Sequence, residues 1–226
     1  MVQFVADVRA VAEHCQLEKP VVIGHSLGGH VASRYAAVFA DDISKLVLLD
    51  GMGPPTWTAK QDAKSIVARW RMGVNSVAKM FYESRAMPDA QDALDRLRRN
   101  NPLLSETLAK TIVEHGVQPH SEGGVGWSFD PAVDMVWNTF NHSESEDIWS
   151  TIECPVLIVT GDRALDYWIG MQPDLAGQHA FYNERLEQRR QLFKNAQHKL
   201  IDKAGHMLHY DNSAQLNSVL LDFLRA

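Results

Sequence analysis

The chain has 226 residues, 45% hydrophobic and 22% charged, a globular composition with enough length to bury a substantial core. A net charge of −6 argues against a nucleic-acid binder, and the densest basic clusters, 96–99 and 185–190, read as solvated surface rather than as phosphate sites. Apolar runs fall short of a membrane span, and residues 1–9 lack the basic-then-apolar order of a signal peptide, so the expected location is cytoplasmic.

Residues 1–16 predict an amphipathic helix, with Phe4, Val5, Val8, Val11 and Ala12 at three- and four-residue spacing. Pro20 stops it, and the apolar run Val21, Val22, Ile23 begins a buried strand. A second helix is expected over 30–40, with Val31, Tyr35, Ala36 and Phe39 on one face. Residues 45–49 form a second apolar strand, ending in Asp50 and Gly51. Beyond residue 54 strand signals nearly vanish, and helices are expected over 62–70, 74–84, 89–99 and 105–115, followed by a Gly-rich loop at 120–126. This block is too long for a plain connection and reads as a mostly helical insertion at the ends of the strands. Residues 156–159 and 198–201 supply a third and a weaker fourth strand. Between them, 162–195 is irregular apart from a helix over 181–193. Leu216, Val219, Leu220 and Phe223 mark a closing helix over 215–224. Short apolar strands alternating with helices predict an α/β fold with a parallel sheet. The two cysteines, Cys15 and Cys154, form no C-x-x-C pair and read as small apolar fillers.

The chemistry centres on Gly24-His25-Ser26-Leu27-Gly28-Gly29, a G-x-S-x-G run between a strand and a helix. A nucleophile on such a turn sits in a strained backbone, and Gly24 and Gly28 are expected to keep its surroundings free of side chains. The helix N-terminus favours negative charge developing beside the Ser26 hydroxyl. A serine nucleophile needs a base, and the base an orienting carboxylate. His206, in Ala204-Gly205-His206 after the fourth strand, is the favoured base. His25 is expected to point away from the site, His14, His30 and His115 fall on predicted helices, and His209 is expected to pack locally.

With the elbow at 24–29, the strand Cys154-Pro155-Val156-Leu157-Ile158-Val159-Thr160-Gly161 and the Gly205-His206 loop in this order, the chain resembles the α/β-hydrolase fold superfamily, serine hydrolases with a helical cap. The Gly-rich loop followed by Trp127-Ser128-Phe129-Asp130-Pro131 is similar to the serine-hydrolase-like subgroup. The resemblance implies a core at 1–53 and 153–226, a cap at 54–152, and four strands corresponding to the C-terminal half of the family's sheet. The family usually places its acid at the position held here by Ala164, with Asp162 and Asp166 to either side. Some relatives place it after the preceding strand, which here is Asp50, 24 residues after Ser26. Asp50 is the first candidate, Asp162 the second and Asp166 the third.

The family's first four strands have no counterpart in this sequence, nor has the loop that gives one of two oxyanion donors. Leu27 N–H is the other donor, and loss of one typically costs about 10²–10³ in rate. The resemblance leaves three accounts open: a fragment of a longer protein, a short form completed by another subunit, or a degenerate copy. The absence of those strands is expected to expose the 21–23 strand as an apolar edge through which copies could pair.

The expected function is therefore hydrolysis of a small carboxylic ester or related acyl compound, with Trp57, Trp70, Met80, Phe81 and Trp127 as candidate pocket lining and with neither cofactor nor metal. Carbon–carbon bond hydrolysis or acyl transfer would use the same triad. Dehalogenase and epoxide hydrolase chemistry is disfavoured, because those relatives carry Asp where this chain has Ser26. The competing expectation is a non-catalytic protein that binds a partner through the exposed edge.

Overall fold

A computed structural model describes residues 1–55, 63–78, 84–138 and 140–226. The chain divides into two compact units, 1–57 with 141–226, and 58–140. The first unit opens with α1 (Val2–His14), β1 (Val21–His25), α2 (Leu27–Val38) and β2 (Lys45–Leu49). The second holds α3 (Ala63–Ala78), α4 (Ala90–Asn100), α5 (Glu106–Gly116), β3 (Val117–Pro119) and β4 (Val125–Trp127). The first resumes with α6 (His142–Ser150), β5 (Val156–Gly161), α7 (Ala164–Met171), α8 (His179–Arg190), β6 (Ala196–Ile201), α9 (Leu208–Asp211) and α10 (Ser213–Arg225).

The first unit is built on a four-stranded sheet in the order β1-β2-β5-β6, every neighbouring pair parallel. A parallel sheet must be covered on both faces, which is why residues 46–49 of β2 and 156–159 of β5 are continuously apolar. Their alternate residues feed two cores. Leu46, Leu48, Val156 and Ile158 pack with Ala32, Tyr35 and Ala36 of α2 and with Trp149 and Phe193. Val47, Leu49, Leu157 and Val159 pack on the opposite face with Ile201, Leu208, Leu216 and Phe223. Burial of each such side chain contributes about 1.5–3 kcal/mol. Strand β1 lies at an edge of the sheet, and Ile23 is 46% exposed there.

In the second unit α4 and α5 pack through the buried Ala93, Leu94, Ala109 and Val113. Both helices begin at side-chain caps: Asp89 accepts from the Asp92 N–H at 2.9 Å and Ser105 from the Leu108 N–H at 3.3 Å. Strands β3 and β4 form an antiparallel hairpin, with Gly123 and Gly124 at positive φ in its turn.

Several expectations need correction. The predicted helices over 62–70 and 74–84 are one continuous helix, α3, as far as the described residues extend. The hairpin falls where the sequence shows only a Gly-rich loop, because three-residue strands carry too little alternation to stand out. The return to the core falls at residue 141 rather than 153. The reason is α6: Trp149 is buried in the first core, donates from Nε1 to Ser33 Oγ at 3.1 Å and stacks with Phe193 at 5.6 Å. The stretch after β5 is helical (α7) rather than irregular. Cys15 is exposed at the end of α1 and fills no core, whereas Cys154 is half-buried against the first core.

The basic cluster 185–190 is also misread as a solvated face. Arg185 and Arg189 are 8% and 3% exposed, and both donate to Glu146 Oε1, at 2.7 and 3.0 Å. Arg189 Nη1 reaches the carbonyls of Met52 and Pro54 at 2.5 and 2.7 Å, tying α8 to the segment that follows Asp50. Within the cluster Arg190 pairs with Glu187 at a more exposed position.

Candidate functional site

Each chemical group of the site lies just beyond the C-terminal end of a strand. Ser26 follows β1 and precedes α2, with φ 52° and ψ −119°. This is a backbone conformation that a non-glycine residue adopts only when its surroundings enforce it. Here its N–H donates to the Leu49 carbonyl at 3.0 Å, and its own carbonyl accepts from the Gly29 N–H at 2.9 Å. The turn is so tight that a Cβ on Gly24 would lie 2.2 Å from the Gly28 oxygen. A Cβ on Gly29 would lie 2.6 Å from the Gly51 Cα, so α2 packs directly on the backbone after β2. Gly28 differs from expectation: a Cβ there would meet no described heavy atom within 4 Å beyond its chain neighbours and the backbone of its own helix. The steric demand falls on Gly24 and Gly29.

Asp50 follows β2 at φ 41°, a left-handed conformation that Asp tolerates better than most residues. Its N–H donates to the Val159 carbonyl at 2.7 Å, which fixes the acid against β5. The loop bearing His206 is fastened to the start of α7 and to α9. Arg163 N–H donates to the Ala204 carbonyl at 2.8 Å, Ala204 N–H to Asp162 Oδ1 at 3.0 Å, and Gly205 N–H to Asp211 Oδ2 at 2.8 Å.

These anchors bring Ser26, His206 and Asp50 together. Ser26 Oγ lies 2.9 Å from His206 Nε2, and His206 Nδ1 is hydrogen-bonded to Asp50 Oδ2. With the carboxylate accepting from Nδ1–H, Nε2 is the free acceptor for the serine hydroxyl. His206 and Asp50 are both buried. Asp162 is occupied in the loop contact with Ala204, and Asp166 is exposed in the first turn of α7. Leu27 opens α2, where the first backbone N–H groups have no acceptor within the helix.

Around this line lie residues that sequence reasoning missed. His25, expected to point away from the site, instead lies against His206: the ring centroids are 4.8 Å apart, and its Nε2–H donates to the His206 carbonyl at 2.8 Å. Burial holds the His25 ring below its ordinary pKa, opposed by that hydrogen bond, so it stays neutral near pH 7. His209 lies edge-on to His25, with ring centroids 4.7 Å apart, and burial followed by the neighbouring His25 and His206 lowers it to about 4. Tyr167 and Trp168 of α7 flank His206, and only recognition of α7 as a helix could have signalled them. A small cleft beside Asp50 is lined by Met52, Gly53, Tyr182, Arg185 and Arg189. Burial, reinforced by the Asp50 charge, pushes the Tyr182 hydroxyl well above its ordinary pKa.

Of the candidate pocket residues, Trp70 is exposed on α3 and Trp127 half-buried in β4 of the second unit, while Trp57, Met80 and Phe81 lie outside the described residues. Among the described residues no group of three or more His, Cys, Asp and Glu side chains is placed to hold a metal ion, and no helix is long and apolar enough to cross a membrane.

A parallel sheet flanked by helices, with a serine on the turn after one strand and a histidine and an acid after two others, defines an α/β class of site. The chain belongs to the alpha/beta hydrolase family, whose model matches residues 2–219. It is 26% identical over 231 residues to a serine hydrolase-like protein of Danio rerio, covering 98% of this chain and 65% of that one. A serine hydrolase-like protein of Dictyostelium discoideum is 22% identical, with 98% of this chain and 60% of the relative covered. The chain thus spans about two thirds or less of the length of these relatives. Among solved structures, the thioesterase domain from the curacin biosynthetic pathway shares the fold at TM-score 0.73 and 23% identity, covering 97% of this chain and 71% of that one.

Proposed function

We propose that the chain is a serine hydrolase acting on a small carboxylic ester or related acyl compound. The observation that carries this reading is the continuous hydrogen-bonded line from Ser26 Oγ through the His206 imidazole to Asp50. Ser26 Oγ attacks the acyl carbon while its proton passes to His206 Nε2, and Asp50 stabilises the imidazolium that forms. The Leu27 N–H donates to the oxyanion. Collapse of the tetrahedral intermediate breaks the bond to the leaving group, which takes the proton from Nε2 and departs as the alcohol. Water then gives a proton to Nε2 as its oxygen attacks the acyl-Ser26 carbon, and collapse returns the proton to Ser26 with release of the acid. In this reading the unit 58–140 is the cap-type insertion of the family. A fluorophosphonate probe tests it: the wild-type chain is expected to be labelled and Ser26→Ala not, whereas absence of labelling in both sinks the hydrolase reading.

A second reading, a binding protein, starts from β1, which among the described residues pairs on one side and carries the exposed Ile23. In it a second copy of the chain pairs along β1. Ile23→Lys is then expected to abolish concentration-dependent association in sedimentation runs, and a wild-type chain monomeric at every concentration rejects the pairing.

A further inference from the structure

The His206 imidazole is enclosed by rings as well as by hydrogen-bond partners. The Tyr167 ring lies nearly parallel to it, with centroids 4.0 Å apart and planes 15° apart. Trp168 stands edge-on at 5.5 Å and 65°, and His25 is tilted at 4.8 Å and 45°. The stack is held in place by the backbone, because the start of α7 is stitched to the 201–206 segment. Asp162 N–H donates to the Ile201 carbonyl at 3.0 Å, Arg163 N–H to the Ala204 carbonyl at 2.8 Å, and the Asp162 side chain accepts from Ala204. One turn further along the helix, Tyr167 is carried over the imidazole face. It is 42% exposed, so it contributes little to the core.

We propose that Tyr167 is a positioning residue for His206, its ring face holding the imidazole in plane and favouring the imidazolium over the neutral ring. The proposal deepens the hydrolase reading and rests on it for its kinetic consequence. An aromatic face carries the negative part of its quadrupole, so a cation stacked on it is stabilised, and more so where water is excluded. His206 is buried, and in the proposed mechanism it becomes a cation when it takes the Ser26 proton. The stack also blocks one direction of ring rotation, preserving the alignment of Nε2 with Ser26 and of Nδ1 with Asp50. The other groups facing His206 are Asp50 beyond β2, His25 at the end of β1 and His209 on α9, with Asp211 bound to the neighbouring Gly205 N–H. Of these described groups Asp50 is the one hydrogen-bonded to a ring nitrogen. Among the described residues Tyr167 is the group that covers a face of the His206 ring in parallel.

The test compares Tyr167→Phe, which keeps the ring face, with Tyr167→Leu, which removes it. Two readouts are used: the rate of fluorophosphonate labelling as a function of pH, and NMR titration of the His206 ring. Tyr167→Leu is expected to slow labelling about 2- to 30-fold and to move both the acid limb of the pH–rate profile and the NMR midpoint to lower pH. Tyr167→Phe is expected to restore wild-type behaviour in both. If Tyr167→Leu matches the wild type, or Tyr167→Phe behaves like Tyr167→Leu, the proposal is overturned while the hydrolase reading stands. If the wild-type chain is not labelled at all, the hydrolase reading fails, and the NMR midpoint of Tyr167→Leu alone decides whether the ring contact favours the cation.

Discussion

Asp50, one residue beyond the end of β2, accepts the Nδ1–H of His206, which lies beyond the end of β6. Strand β5 lies between those two strands in the sheet, so Asp50 and His206 are brought together from either side of it. Asp162, which does follow β5, has a different occupation, accepting from the Ala204 N–H. Asp50→Asn is therefore expected to lower kcat/KM by about 10⁴-fold, the size of effect seen when an amide replaces the acid of a triad. Asp162→Asn keeps an acceptor for Ala204 and is expected to stay within about fivefold, the equivalent of one ordinary hydrogen bond. Steady-state hydrolysis of a chromogenic ester checks the order, and the reverse order returns the acid to β5.

The glycines around Ser26 are not equivalent. A Cβ at Gly24 would collide with the backbone of Gly28 and Gly29, which cannot move without dismantling the turn. Gly24→Ala is expected to cost about 3 kcal/mol or more in urea unfolding. At Gly28, inside α2 and facing no described atom, alanine is expected to be neutral or to stabilise by up to about 1 kcal/mol, through helix propensity and a more restricted unfolded chain. Equal losses at both positions would remove the steric account of the turn.

His30 is expected to make the fold sensitive to acid. It is buried against Trp149 and donates from Nε2 to the Gly53 carbonyl at 2.7 Å. Burial, with the nearby Arg34, His142 and Arg189 adding to it, lowers its pKa to about 3. The unfolded chain takes up a proton on His30 below about pH 6.5 and the folded chain does not, so stability falls with decreasing pH between those values. The loss from this group is about 2 kcal/mol at about pH 5. His30→Gln, which retains a donor for Gly53, is expected to flatten that part of the stability profile. Parallel profiles for variant and wild type would assign the acid sensitivity elsewhere.

Arg189 joins Glu146 to the Met52 and Pro54 carbonyls from a buried position. Arg189→Leu leaves the Glu146 carboxylate with a broken pair and two carbonyls without their donor. The expected cost is about 3–5 kcal/mol in urea unfolding. Arg189→Lys keeps the charge but not the planar fork and is expected to recover only part of that loss. A thermal melt unchanged in both variants would show that the clamp carries no stability.

Much of the sheet was legible in the sequence because its inner strands are continuous β-branched and aliphatic runs. Lys45–Leu49 matched its observed bounds, and β5 differed only by extending to Gly161. The Ser26 turn and the Gly205-His206 loop were legible as motifs, each with strand character before it. The partnership of Asp50 was not fixed by spacing, because Asp50, Asp162 and Asp166 all lie near strand ends. Only the three-dimensional order of the strands, with β2 and β6 on either side of β5, brings one of them to His206. The α7 contacts were hidden because a short helix such as Ala164–Met171, without a side-chain cap, leaves little periodic signal. Arg185 and Arg189 look like surface in any local window, and their burial depends on Glu146, some forty residues earlier in the chain.

The hydrogen bond between Ser26 and His206 spans 180 positions, and that between Asp50 and His206 spans 156. Closing loops of this size costs chain entropy before any contact repays it, so the alignment of the three side chains is expected to wait for the strands that carry them to pair. In the hydrolase reading, reactivity at Ser26 is therefore expected only of chains whose strands have all paired. During refolding, the appearance of a probe-reactive serine would time the docking of β6 onto β5, an event that helix content, set largely by local structure, would already have passed.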